Sequence, residues 1–361
     1  MASMPKHAAL ALSALTLSLA ACSVQSTEGS SGTSASSAAG SSATTGVSQK
    51  ITGPDSVTPG DTTKPLSIAF SGFAKANSFT AAVYKGAEDY AKAHNATATF
   101  LDPNFDAQAQ VSQIQDAVTS NRYDVFVVMA NDGTAVVPAL ESAIAAGKKV
   151  VVLMAPVGTR YDTGDPQLPG AINIVDPPTD NGKLLGQLAA EACKKSAATP
   201  CKVAYLEGFK SLPLDNARTD AVKATLAAAG AEVVMSIEGG YTNDQGRKAM
   251  QDVLQAHPDV NVVIGSSQAI AGAASVAGTD SKILFVANGG SRQALEAVKD
   301  GSWFATVCAP TVQAGATAAA VGLAAARGQQ VPVATAFEDL SPVGGLCNAA
   351  NVAKVQGEYD E

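Results

Sequence analysis

The sequence is poor in histidine, in charge and in long apolar runs. It has three histidines among 361 residues, and charged residues make up only 16%. His7 stands near the start, His94 ends a helical stretch, and His257 precedes Pro258 in a turn. His7 leaves with the leading segment and the other two read as surface residues, so the commonest general base is missing from any plausible site. The pattern Gly-x-Ser-x-Gly is absent, and so is the phosphate loop Gly-x-x-x-x-Gly-Lys. Gly289-Gly290 is too short for a dinucleotide fingerprint. These absences argue against an α/β enzyme and call for no cofactor. No basic cluster is present and the net charge is −8, which argues against nucleic acid or an acidic lipid surface as partner.

The first segment carries an address. Lys6 and His7 precede an apolar run over 8–19, which ends in Leu19-Ala20-Ala21-Cys22. A basic start, a short apolar core and small residues before a cut form a secretory signal. The run is too short to cross a bilayer, which takes about 20 apolar residues. A cysteine just past the small residues resembles a bacterial lipobox. That resemblance implies a signal peptide over 1–21 and a lipid on Cys22, which holds the protein to the cell membrane from outside the cytoplasm. Residues 23–50 are nearly all Ser, Thr, Gly and Ala. Such a stretch buries too little apolar surface to offset its ordering entropy, so 22–64 reads as a tether.

Of the five cysteines, Cys193, Cys201, Cys308 and Cys347 remain for the body. Export places them in an oxidising space, where an even number favours disulfides. Four cysteines allow three pairings. Cys193 and Cys201 flank a short helix-to-strand connection, and the expected pairs are Cys193–Cys201 and Cys308–Cys347. The spacing fits no zinc finger, so no metal site is expected.

From residue 66 onward, short β-branched runs alternate with amphipathic stretches. Strands are expected at 66–71, 97–101, 125–129, 150–154, 171–175, 202–206, 233–237, 260–265, 282–287 and 304–308. Several are apolar throughout, as in Val125-Phe126-Val127-Val128-Met129, which marks a parallel strand covered on both faces. Helices are expected at 79–94, 106–120, 134–146, 179–195, 215–229, 244–256 and 312–327. The order implies an α/β architecture with right-handed crossovers. Ten strands are many for one such sheet, so two sheets in two Rossmann-like lobes are expected.

Open α/β sheets bind ligands beyond the carboxyl ends of their strands. The loops there hold Phe73, Asn77 and Phe79, then Asn104-Phe105-Asp106, then Asn131-Asp132-Gly133. In the second half they hold Arg218, Tyr241, Ser266-Ser267-Gln268 and Asn288. Amides, hydroxyls, one guanidinium and aromatic faces suit a polar small molecule held by hydrogen bonds and ring stacking. Asn, Asp and Ser at these places also serve as helix caps, so Asn131 and Asp132 read equally as cap or as contact. Arg218 can also pair with Asp215 on its own helix.

Three segments over 66–346 carry a resemblance. They are Ala69-Phe70-Ser71-Gly72-Phe73 with Asn77-Ser78-Phe79 and Tyr84-Lys85-Gly86-Ala87; the joint from Met250 through His257-Pro258-Asp259-Val260; and Ala294-Leu295-Glu296-Ala297-Val298-Lys299-Asp300-Gly301. In this order and spacing the chain resembles the type I periplasmic sugar-binding proteins, the ribose and galactose receptors of ABC importers. The resemblance implies two similar lobes joined by three crossing strands near Val175, Ala309-Pro310 and Asp339-Leu340. The lobes would be 65–175 with 310–339, and 176–309 with 340–361. It brings Cys308 and Cys347 together across the last crossover. It implies a monomer that captures a sugar-like solute and hands it to an ABC permease, or a receptor of the same fold that signals to a membrane kinase. The lipidated start leaves no DNA-binding domain for a repressor of this fold.

Residue by residue, the resemblance makes Asn77 an amide contact, Phe79 a stacking ring and Arg218 the ligand-gripping arginine. It puts Tyr241 near the cleft and Asn288 where the family commonly has an aspartate. Phe73, Asn131, Asp132, Ser266 and Gln268 complete the expected set. Leu153-Met154-Ala155-Pro156 replaces the family's Asp-Arg, while Ser266 and Ala309 replace an Asn and a Gln. Losing partners for buried hydroxyls costs about 1–3 kcal/mol each, so the expected ligand is less hydroxylated, or larger, than ribose.

Overall fold

A computed structural model describes residues 50–279 and 281–361. Cys22, the signal segment and most of the tether lie outside the described residues.

The β-branched runs form strands wherever both faces can be covered. The first sheet contains β1 (Leu66–Ser71), β2 (Ala96–Leu101), β3 (Val125–Val128), β4 (Lys149–Met154), β5 (Ala171–Val175) and, much later, β11 (Ala334–Ala336). Its spatial order is β11-β5-β4-β3-β1-β2, and every pair is parallel. The second sheet contains β6 (Lys202–Glu207), β7 (Glu232–Glu238), β8 (Val262–Ser266), β9 (Leu284–Asn288), β10 (Ala305–Val307) and β12 (Leu346–Asn348). It runs β12-β10-β9-β8-β6-β7 and is parallel except for β12 against β10. The sequence reading of ten strands therefore misses β11 and β12. Each is only three residues long, too short for a period to show.

Nine α-helices cover these sheets among the described residues: α1 (Ser78–Ala93), α2 (Ala107–Thr119), α3 (Val137–Ala145), α4 (Pro178–Ser196), α5 (Pro213–Ala228), α6 (Asn243–Ala256), α7 (Ser267–Ala277), α8 (Arg292–Asp300) and α9 (Thr311–Ala326). Their starts follow local chemistry. Asn77, Asp106, Thr242, Ser266 and Ser291 each accept backbone N–H bonds as N-caps, and proline opens α4 and α5. Each sheet has an apolar core on both faces. One core centres on Ile68, Phe70 and Leu153 under α1 and α9, another on Phe126 and Leu140 under α2 and α3. The second sheet packs Met250, Val263 and Trp303 on one side, Leu188, Tyr205 and Leu226 on the other.

The chain passes between the sheets three times: after β5, after β10, and between the 3-10 turn Phe337–Leu340 and β12. Disulfides join Cys193 to Cys201 and Cys308 to Cys347, with Cα–Cα distances of 5.6 and 5.8 Å. By loop entropy the longer loop contributes about 4 kcal/mol and the shorter about 2–3.

The end of the tether departs from the sequence reading. Ile51 and Val57 are buried in the first core, either side of a 3-10 turn over Pro54–Ser56. Gln313 donates to the Thr52 carbonyl and Arg327 to that of Pro59. Residues 50–64 are therefore docked, because two isolated apolar side chains find a groove beside α9.

Helices α1 and α9 meet through glycine. A Cβ on Gly86 would stand 1.9 Å from the Val312 carbonyl oxygen, and one on Gly315 would stand 1.8 Å from that of Val83. Neither backbone can retreat without moving a whole helix. Gly86→Ala is expected to lower stability by about 1–3 kcal/mol or more in urea unfolding. A Cβ on Gly164 would come no nearer than 3.9 Å to the Val175 oxygen, so Gly164→Ala is expected to stay within about 0.5 kcal/mol of the parent. Equal losses for the two variants would contradict the glycine contact.

Candidate functional site

The carboxyl ends of the two sheets face one cavity of about 100 Å³. The first half lends Phe73, Asn77, Phe79, Phe105, Met154 and Ala155; the second lends Leu212, Leu214, Arg218, Tyr241, Gln268 and Asn288. The crossings lend Asp176, Pro178, Asn181 and Ala309. The cavity is smaller than the ~300–1,000 Å³ of drug-sized sites, so its occupant is small.

Seven of the expected positions meet here: Phe73, Asn77, Phe79, Arg218, Tyr241, Gln268 and Asn288. Three lie elsewhere. Asp132 accepts from the backbone N–H groups of Thr134 and Ala135, and Ser266 caps α7 while donating to the Gly240 carbonyl at 2.7 Å. Asn131 is fully buried, and neither of its side-chain polar atoms has a partner among the described residues. It is not part of the cavity wall. The residue types that hold ligands are also those that hold turns, and at Asp132 and Ser266 the turn takes the side chain.

The polar wall is one connected network. Asn181, at the start of α4 and 5% exposed, accepts on Oδ1 from Arg218 Nε at 2.9 Å and from Asn288 Nδ2 at 2.8 Å. Its Nδ2 donates to Asp176 Oδ2 at 2.8 Å. Arg218 Nη1 meets Asp215 Oδ1 at 2.5 Å, and the Tyr241 hydroxyl donates to the same oxygen at 2.5 Å. Asp215 is buried and takes the Phe209 N–H on its other oxygen. Arg218 pairs with the acid of its own helix and also lines the cavity. Burial, then the charge of Asp215, pushes the Tyr241 hydroxyl far above its ordinary value, so it stays a donor.

Asp176 is the site's unbalanced acid. Burial raises it to about 6; Arg218 and the Asn181 hydrogen bond pull it down, while Glu338 and Asp180 push it up. An acid raised by folding binds its proton more tightly in the native state, so stability falls as pH rises from near the ordinary 3.8 through about 6.

The apolar wall crosses between the halves. Phe105 lies parallel to Tyr241 at 5.9 Å and edge-on to Phe209 at 5.2 Å. Ala155, Leu212 and Leu214 pack into the same cluster. Phe105 and Met154 both have left-handed backbones, with φ of 63° and 67°. For a non-glycine residue that costs about 1–3 kcal/mol, and such strain gathers where a side chain must be aimed. Phe105 is anchored by its N–H to the Phe73 carbonyl at 2.8 Å.

Sequence reasoning missed Asp176 and Asn181. They sit at a crossing, where the pattern shows only the start of a helix. The departure at Met154 and Ala155 was visible, and both line the cavity.

The model of the periplasmic binding protein domain matches residues 68–330. The ribose import binding protein of Bacillus subtilis is 26% identical over 246 residues, which is 68% of this chain and 76% of that protein. An ABC transporter solute binding protein of Mycobacterium smegmatis, solved with glycerol, superposes with a TM-score of 0.67 at 24% identity, covering 82% of this chain and all, 100%, of that one. One from Bacillus halodurans, solved with myo-inositol, gives 0.66 at 19% identity, covering 82% and 98%. Among the described residues no helix is long and apolar enough to cross a membrane.

Asp176→Asn is expected to remove the loss of stability between about pH 4 and 6, read from thermal unfolding of ligand-free protein across that range. An unchanged pH profile would assign the slope to other groups.

Proposed function

The chain belongs to the periplasmic binding protein family, and on that premise we propose that it is the extracytoplasmic solute receptor of an ABC importer. It captures a small neutral polyol or deoxysugar-like solute between its two halves, and no chemical step is required of it. The observation that carries this reading is the cavity walled from both sheets and the crossings at once. A solute in that place gains contacts on both sides only when the halves are together, so binding favours the closed arrangement.

The division of labour follows from the walls. Arg218 is neutralised by Asp215, and with Nε held by Asn181 and Nη1 by Asp215 it offers the Nη2 donors rather than net positive charge. With Asp176 in the same network and lining the same cavity, a carboxylate or phosphate ligand would meet its repulsion. Asn77, Gln268 and Asn288 supply amides for hydroxyl groups. Phe79 and Phe73 offer ring faces, and Met154 and Ala155 face the ligand where related receptors carry charge. That exchange favours a solute with one apolar edge, and the small cavity favours less hydroxylated over larger.

The solute is expected to appear in a thermal-shift panel of glycerol, myo-inositol, D-ribose, D-allose and deoxysugars, since a ligand that binds only the native state raises stability by mass action. Arg218→Ala is expected to weaken binding of the responding compound by about 2–3 kcal/mol in calorimetry, the cost of losing a buried charged donor. Parent-like affinity in that variant would remove Arg218 from the site.

A lipid on Cys22 would keep the receptor beside its permease, and we propose that anchor on the sequence that surrounds Cys22. Cys22→Ala is expected to move the protein from the membrane fraction to the medium or periplasm. Continued membrane retention would exclude the anchor.

A further inference from the structure

We propose that the segment Glu358-Tyr359 is a latch that positions the ligand-facing side chains and holds the two halves together; the ligand-positioning part rests on the receptor reading above. Tyr359 follows the last regular element, the 3-10 turn Val352–Lys354, yet it is only 5% exposed. Its ring stands edge-on to Phe79 of the first half, with centroids 6.0 Å apart at 85°. Its hydroxyl lies 3.4 Å from Ser267 Oγ of the second half. Its backbone carbonyl accepts from the Arg292 N–H at 2.9 Å, which ties it to α8.

Gly289, with φ of 145°, leaves room for both partners of that contact: a Cβ there would stand 2.2 Å from Ser267 Oγ and 2.8 Å from the Tyr359 oxygen. Gly289 directly follows Asn288, and Ser267 directly precedes Gln268. Tyr359 thus touches one cavity residue, Phe79, and the immediate chain neighbours of two others. The neighbouring residue completes the bridge. Glu358 Oε2 accepts from Val312 N at 2.7 Å and from Thr311 Oγ1 at 3.0 Å, at the start of α9, which packs on α1 of the first half. A carboxylate at that position also satisfies free N–H groups and the helix dipole.

One short segment therefore holds both halves through separate contacts, directly behind the cavity wall. Its release frees Phe79 and removes a cross-half restraint together. Tyr359 acts through Phe79 and so is a positioning residue.

The test reads closure without needing the ligand. Spin labels go on Glu141→Cys and Asp252→Cys, exposed positions on α3 and α6 of opposite halves. Pulsed dipolar spectroscopy on the full body, with native disulfides formed, gives the distance distribution between them. Tyr359→Ala is expected to broaden it and shift it to longer distance, and Tyr359→Phe, which keeps the ring on Phe79, is expected to restore most of the parent distribution. Glu358→Gln is expected to shift it in the same direction as Tyr359→Ala by a smaller amount, and it decides alone if Tyr359→Ala does not fold. Parent-like distributions in every folded variant would overturn the latch. The receptor reading fails separately, through the absence of any thermal shift with the solute panel in the parent protein.

Discussion

Asn181 Oδ1 is the atom on which the site turns. It accepts from Arg218 and Asn288 at once, one on α5 and the other at the end of β9. The same side chain donates to Asp176 at the first crossing. A buried amide with both its oxygen and nitrogen engaged has one orientation, and it imposes that orientation on its partners. Arg218 could otherwise swing toward solvent, and its pairing with Asp215 and Tyr241 would then lose alignment. The cost of leaving any of these groups unpaired is about 1–3 kcal/mol, so the network holds as a unit.

The rest of the fold serves to bring that network opposite an apolar partner. Two mostly parallel sheets aim their carboxyl ends at one gap, and three crossings fix their relation. The first half answers the polar network with Phe73, Phe79, Phe105, Met154 and Ala155. One wall that donates and accepts hydrogen bonds and one wall that excludes water suit the two-edged solute proposed above. The left-handed backbones at Phe105 and Met154 show where local stability is given up to form that second wall.

Much of this was legible in the sequence, and for physical reasons. Short β-branched runs such as Val125–Val128 read as strands covered on both faces, and Asn77 or Asp106 before an amphipathic stretch marks a helix start. Phe79, Arg218 and Asn288 were expected there because each lies in or shortly after the segment that leaves a strand's carboxyl end, and because the resemblance pointed to the same positions. Asn181 was not, because nothing about an asparagine inside a helical stretch tells which way the first turn faces. Asp132 and Ser266 were drawn into the expected site because the residue types that hold ligands also hold turns and caps, a turn at Asp132 and the α7 cap at Ser266. Ile51 and Val57 were lost in a polar tether, where two apolar residues carry no period. Tyr359 lies beyond every regular element, and only the folded contacts give it a place.

Native mass spectrometry of the gently purified protein tests the central claim most directly, namely that a neutral solute bridges the Arg218–Asn181 network and the aromatic wall. The expected result is one small uncharged molecule per chain, retained by the parent and lost from Asn181→Leu. An anionic adduct, or a neutral one that survives that substitution unchanged, would contradict it.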